Sequence, residues 1–173
     1  MNAKKLREVI RDHRKWWDKE EGGKQAELSG ENLHGAKLCR VNLREARMCM
    51  ADLSNSDLSY SSMTNANLRR ANLRGANFSG ANLRGADLSL ANLYGANLSG
   101  VELYKVDLYG AKGIVNAGMD WRGHLFIGVQ RDDGWMVKAG CRWFTISEAK
   151  DHWKDNQDAL CRVAVIEYHA TRR

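Results

Sequence analysis

The sequence contains no proline, which argues against proline-stiffened or extended linkers between domains. It also lacks any run approaching the ~20 consecutive apolar residues that a membrane-crossing helix needs. Met1 to Arg14 is charged throughout and does not read as a signal peptide. Cysteine is limited to Cys39, Cys49, Cys141 and Cys161, with no CxxC pair and no framework spacing. A reduced, cytoplasmic protein is the expectation. There is no phosphate-binding loop, no dinucleotide fingerprint and no pair of carboxylates at general-acid spacing. These absences point away from an enzyme, and no cofactor or metal is expected.

Charge of one sign is also missing. The net charge of +6 divides as +3 over residues 1–25, +2 over 26–112 and +1 over 113–173. A mild positive balance permits contact with nucleic acid or an acidic protein face, yet falls well short of a basic tail.

What is present is a period of five. From Leu28 to Leu108 every fifth residue is a large apolar side chain, leucine except at Met48, Met63 and Phe78. Two residues before each lies a small or β-branched residue, nearly always alanine, as in Ala66-Asn67-Leu68 and Ala81-Asn82-Leu83. Five fits neither the 3.6-residue helix nor the two-residue strand, so it describes a repeating coil. Stacked layers place Leu on Leu, and a coil narrow enough to close around such ladders needs its second inward residue small. Asn or Asp just before each Leu is suited to bonding its own turn backbone at a corner. Phe78 is oversized for its ladder, so a local bulge or compensating space is expected there.

These seventeen units, clean in Ala76-Asn77-Phe78-Ser79-Gly80 and Ala86-Asp87-Leu88-Ser89-Leu90, resemble the A(D/N)LXX pattern of the pentapeptide-repeat proteins. The resemblance implies a mainly β fold, a right-handed quadrilateral β-helix in which four units make one coil. The rungs Leu28, Met48, Leu68, Leu88 and Leu108 then share one face, and Leu38, Leu58, Phe78 and Leu98 another. The rod would be about 20 Å long at the ~4.8 Å interstrand spacing.

Three parts are expected. Residues 1–25 read as an amphipathic capping helix over 4–21, with Leu6, Val9, Ile10, His13, Trp16 and Trp17 at helical spacing and Gly22-Gly23 ending it. Such a helix would cover the first coil, because a terminal layer otherwise exposes core leucines; a membrane surface or a partner groove is the competing use of a basic amphipathic helix. Residues 26–113 are the repeat solenoid, stopping where Gly113 takes the next inward position. Residues 114–173 read as a small α+β module that packs on the last coil. Expected there are a strand over 123–130, a turn at Asp132-Asp133-Gly134, strands over 135–139 and 142–144, and a capping box at Thr145 to Glu148. That box opens a helix over 146–154 with Ala149 and Trp153 inward, and Arg162 to Tyr168 reads as a closing strand. His13-Arg14-Lys15-Trp16 with Gly22-Gly23 is similar to the leader of phage and prophage members of the family. Gly140-Cys141-Arg142-Trp143-Phe144, Glu148-Ala149 and His152-Trp153 resemble a C-terminal domain that accompanies such arrays.

Outward residues stack in columns: Arg44, Thr64, Arg84, Tyr104; Cys49, Arg69, Ser89, Tyr109; and His34, Ser54, Arg74, Tyr94. Arg69, Arg70, Arg74 and Arg84 are expected to cluster across the middle coils, with Tyr94, Tyr104 and Tyr109 around the last. Arginine forks onto anions and tyrosine supplies rigid contact area, so Arg44, Arg69, Arg70, Arg74, Arg84, Tyr94, Tyr104 and Tyr109 are the candidate binding residues; an ordinary solvated surface is the bland reading. The main functional expectation is a non-enzymatic interaction protein that binds a host protein or protein complex, in defence or nucleic-acid handling. One alternative is a DNA mimic that binds type II topoisomerases, as the resemblance implies for some members. Such mimicry needs an acidic rod, here requiring Asp52, Asp57, Asp87, Glu102 and Asp107 to gather on one face. Another is direct nucleic-acid binding by the arginine faces. A homodimer through the C-terminal region, using Trp135 or Trp143, is also open. Cys141, His152 and Asp151 or Asp155, near His124 and Cys161, form the one constellation with nucleophilic or zinc-binding residue types, without the spacing of a dedicated site.

Overall fold

The computed structural model describes residues 1–119, 125–131, 134–139 and 142–171. Parallel bridges join Glu27 to Arg47, Asn32 to Asp52, Lys37 to Asp57 and Asn42 to Ser62, and continue with a constant step of twenty residues up to Asn92–Lys112. Each coil therefore holds four five-residue units, and each unit ends in a turn. In the first turn the Glu31 N–H donates to the Leu28 carbonyl at 3.2 Å, and Gly30 supplies the positive φ of 68° that this position requires. Between layers Leu28 N–H bonds the Arg47 carbonyl at 2.7 Å, and Arg47 N–H returns to the Ala26 carbonyl at 2.9 Å. The backbone of each coil is thus satisfied by the next, as buried backbone must be.

All rungs except Leu103 are buried, as are most of the alanines two places before them, in one continuous core. Counting from Leu28, four faces follow: the first carries Leu28 to Leu108, the second Leu33 to Leu93, the third Leu38 to Leu98, the fourth Leu43 to Leu103. Phe78 is accommodated without a bulge. Its N–H bonds the Asn97 carbonyl at 2.8 Å, as its neighbours bond theirs, and its ring is fully buried. Glu31 stands where most units have alanine, and its carboxylate lies 3.4 Å from the Met1 amine. The corners are fixed as the Asn and Asp residues suggested: Asn32, Asn42, Asn67, Asn82 and Asp87 each accept the N–H two residues on.

Helix α1 (Ala3–Trp17) is shorter than the sequence pattern implies. It ends at Asp18, whose N–H bonds the Arg14 carbonyl, and Lys19 rather than a glycine takes the left-handed backbone beyond it. Gly23 is needed for a different reason, since a side chain there would meet the backbone of Lys15 and Trp16. Leu6, Val9 and Ile10 are half-buried against the solenoid core. His13 is fully buried, and its Nδ1 accepts the Ala26 N–H at 3.0 Å, so the helix covers the first layer.

At the other end Gly113 lies buried at φ 76°, and the chain passes into a four-stranded antiparallel sheet of order β1-β2-β3-β4. Its strands are β1 (Ile114–Met119), β2 (Leu125–Arg131), β3 (Gly134–Ala139) and β4 (Arg142–Thr145). Strand β1 is not predicted by the sequence pattern; β2 to β4 fall where that pattern predicts strands. The Asp132-Asp133 turn, His124 and Cys141 lie outside the described residues. The sheet docks on the last coil through Gln130, whose carbonyl accepts the Gly95 N–H at 3.0 Å and whose N–H bonds the Gly113 carbonyl at 2.9 Å. Ile114, Ile127 and Val129 complete the solenoid core.

The opposite sheet face belongs to a second core of Phe126, Val137, Ala149, Ala159, Val163 and Ile166. Helix α2 (Ile146–His152) opens on the expected capping box at Thr145 and Glu148. The expected closing strand over Arg162 to Tyr168 is instead part of helix α3 (Gln157–Thr171). Its buried residues Ala159, Val163 and Ile166 recur at helical spacing, and the sheet needs a cover on its second face. That demand overrides the strand preference of the Val-Ala-Val-Ile run. Trp135 is half-buried against this second core; the side chain of Trp143 lies outside the described residues.

Candidate interaction surface

The residue after each rung stands at a corner, and corner residues twenty apart lie one above another. At the fourth corner this stacks Arg44, Thr64, Arg84 and Tyr104. The guanidinium of Arg84 lies over the Tyr104 ring at 5.2 Å, and Lys105 approaches the same ring at 5.4 Å. At the start of the same column, Arg44 lies over Trp17 of α1 at 5.1 Å, so the column runs from the capping helix to the last coil. The first corner carries Cys49, Arg69, Ser89 and Tyr109, with Arg70 beside Arg69. The second carries His34, Ser54, Arg74 and Tyr94, where His34 Nδ1 and Ser54 Oγ meet at 2.9 Å.

The arginines thus occupy three corners of the middle coils, with only Arg69 and Arg70 sharing one. Arg69, Arg70, Arg74 and Arg84 are exposed and have no carboxylate partner among the described residues. Tyr104 and Tyr109 are 60% and 79% exposed. Tyr94 is half-buried, its backbone lying against the exit glycine. Cys39 and Cys49 sit at different corners, so they make no joint site.

The five carboxylates of Asp52, Asp57, Asp87, Glu102 and Asp107 do not gather on one face. Asp52 lies on the second face, Asp57 on the third, Glu102 on the fourth, and only Asp87 and Asp107 share the first. The two best-held serve their own turns instead. Asp52 accepts from Ser54 Oγ at 2.6 Å, from Ser54 N–H and from Asn72 Nδ2; Asp57 does the same with Ser59 and Asn77. The serine hydroxyls foremost, then the serine N–H groups, hold both carboxyls below their ordinary range.

His152, exposed, lies against the rings of Phe144 and Trp153 at 5.0 and 4.9 Å. It edges the second core, and Asp151, Asp155 and Cys161 are exposed. Among the described residues no group of three or more His, Cys, Asp or Glu is placed to hold a metal ion. No helix among them is long and apolar enough to cross a membrane. The arrangement is a set of fixed, outward charges and rings, suited to recognition.

The sequence marks α1 as a basic amphipathic helix but does not single out Arg7, Arg11 and Arg14. Their spacing of four and three residues places them on one side of α1, where Arg40 faces them from the solenoid. The spacing was legible; the opposing arginine was not, because it comes from the next structural unit.

A family pattern described as pentapeptide repeats matches residues 24–55, 51–89 and 76–112, with eight copies. Among solved structures the chain is similar to a pentapeptide repeat protein of the cyanobacterium Cyanothece 51142, at 41% identity over 51% of this chain and 56% of that one, TM-score 0.31. It is similar to a pentapeptide repeat protein of the Arabidopsis thaliana thylakoid lumen, at 31% identity over 51% and 61%, TM-score 0.27. It is also similar to the plasmid-mediated fluoroquinolone resistance protein QnrB1, at 23% identity over 50% and 59%, TM-score 0.24. In each case the matched region covers less than two thirds of the other protein. Among curated proteins none matches.

Proposed function

Because the chain belongs to the pentapeptide-repeat family, we propose that it is a non-enzymatic interaction protein that binds and modulates a host protein or protein complex. The reading includes a phage origin, supported by the terminal motifs around His13-Arg14-Lys15-Trp16 and Arg142-Trp143-Phe144, and a target in defence or nucleic-acid-handling machinery. The observation that carries it is the set of exposed, carboxylate-free guanidiniums of Arg69, Arg70, Arg74 and Arg84 on ladder-fixed corners, with Tyr104 and Tyr109 above them. Backbone so constrained loses little further freedom on binding, which favours affinity. Arginine and tyrosine in such a pattern match an acidic protein surface. A DNA-like acidic strip is the less favoured reading, since Asp52, Asp57, Asp87, Glu102 and Asp107 are divided among the four faces.

The test is capture from nuclease-treated host lysate with wild-type protein beside an Arg69→Glu, Arg70→Glu, Arg74→Glu, Arg84→Glu variant. The expected result is a partner retained by the wild type and lost by the variant at unchanged thermal midpoint. Equal retention by both moves the site to the C-terminal sheet and its helices. Retention found only in a parallel capture from untreated lysate replaces a protein partner with nucleic acid, whose binding falls steeply with salt.

A further inference from the structure

The geometry points to a second binding site, separate from the corners above: the cleft between α1 and the first coils takes an acidic, amphipathic polypeptide segment. The cleft encloses about 630 Å³. Arg7, Arg11 and Arg14 line it from the helix and Arg40 from the solenoid, against the single carboxylate of Asp18. Arg11 is engaged by Asp12 at 2.9 Å and Arg14 lies 3.7 Å from Asp18. Arg7 and Arg40 have no carboxylate partner among the described residues. The charge of the walls therefore calls for an anionic occupant.

The floor and the nearby rings decide which kind. Ile10 and Val41 are half-buried in the cleft and pack on the solenoid core. They present an apolar strip between the guanidiniums of the two walls. A sugar-phosphate backbone has nothing apolar to lay there, and single-stranded nucleic acid gains much of its affinity from bases stacked on open aromatic faces. The residues that line the cleft include no aromatic ring, and the Tyr60 ring lies under Arg40 at 5.7 Å, outside that lining. A polypeptide that alternates acidic and aliphatic side chains satisfies both features: its carboxylates meet the arginine forks and its aliphatic groups cover Ile10 and Val41.

The probe is a short fluorescein-labelled peptide of alternating glutamate and leucine, read by fluorescence anisotropy against full-length protein. A peptide of alternating lysine and leucine and an oligothymidylate of matched length serve as comparisons. The glutamate peptide is expected to bind, to bind more tightly than the other two, and to weaken as salt screens the arginines. Arg7→Glu with Arg14→Glu is expected to weaken it by about tenfold or more. So is Arg40→Gln on the opposite wall, which leaves the helix untouched. Thermal midpoints of both variants verify that the cap stays docked. The Arg69→Glu, Arg70→Glu pair is expected to bind as wild type does, so failure at one surface is distinguishable from failure at the other. The proposal is overturned if the glutamate peptide does not bind, if the oligothymidylate binds more tightly, or if the cleft variants bind undiminished.

Discussion

The Nδ1 atom of His13, on the capping helix, accepts the backbone N–H of Ala26, the first inward residue of the solenoid, at 3.0 Å. The ring is fully buried and stacks on Trp16 at 5.5 Å. Burial holds its pKa below the ordinary 6.5, opposed in part by the Arg44 backbone and the Glu45 charge. The folded protein therefore carries this histidine neutral, with a free lone pair for Ala26.

The first prediction is a loss of stability in mild acid. The unfolded chain takes up the proton near pH 6.5 and the folded chain only at lower pH, so stability is full above that value. It declines as the pH falls from there toward the folded-state pKa. Urea midpoints measured between about pH 8 and pH 5 should show the decline in the wild type and a flatter profile in His13→Ala. At neutral pH that variant leaves the Ala26 N–H unpaired, at a cost of about 1–3 kcal/mol. An unchanged slope in the variant assigns the acid sensitivity to another group.

The second prediction separates backbone conformation from interlayer fit. Gly30 and Gly113 both have positive φ, 68° and 76°. A Cβ at Gly30 meets nothing within 4 Å, whereas one at Gly113 lies 2.5 Å from the Tyr94 backbone nitrogen. Gly30→Ala should cost about 1 kcal/mol, the conformational term alone. Gly113→Ala should cost at least about 2 kcal/mol more, because backbone cannot rotate out of the way. Equal costs in urea denaturation would mean that the exit of the chain repacks freely.

A third prediction concerns strong acid. Asp52 and Asp57 are held below the ordinary 3.8 by their serine hydroxyls and N–H groups. Their contribution is present above that pH and is lost as the pH falls through the lower folded-state values. Asp52→Asn with Asp57→Asn keeps an acceptor at each corner while removing the titration. The double variant should lose less stability than wild type on going from about pH 5 to pH 2, by circular dichroism.

The solenoid was legible because each unit states its own structure. The five-residue spacing of Leu68 and Leu73, the small Ala66 and Ala71, and the Asn before each Leu fix inward side, coil width and corner without reference to distant sequence. The capping box of Thr145 and Glu148 was legible for the same reason. Helix α3 was not: Val163, Val165 and Ile166 favour strand locally, and only the uncovered face of the sheet selects the helix. The arginine-lined cleft escaped because Arg7 and Arg40 meet only after α1 docks. The corner columns were legible in order, but their spread over three corners follows from how four faces close.

The last prediction uses neighbouring residues of β2 that face different cores. Val129 is fully buried in the solenoid core beside Ile114 and Ile127. Gly128 turns the other way: a side chain there would press on Ile166 of α3 and lie 3.2 Å from the Trp135 ring. Gly128→Val should therefore displace α3. The tryptophan emission of Trp135 and Trp153, both packed on the second core, should shift while the far-ultraviolet signal of the solenoid keeps its thermal midpoint. Val129→Asp should instead place a carboxylate in the end of the apolar shaft, at a cost of about 2 kcal/mol or more, and lower the solenoid midpoint. If both substitutions lower one common transition by the same amount, the sheet and the solenoid unfold as a single unit, and the two faces of β2 are not energetically separable.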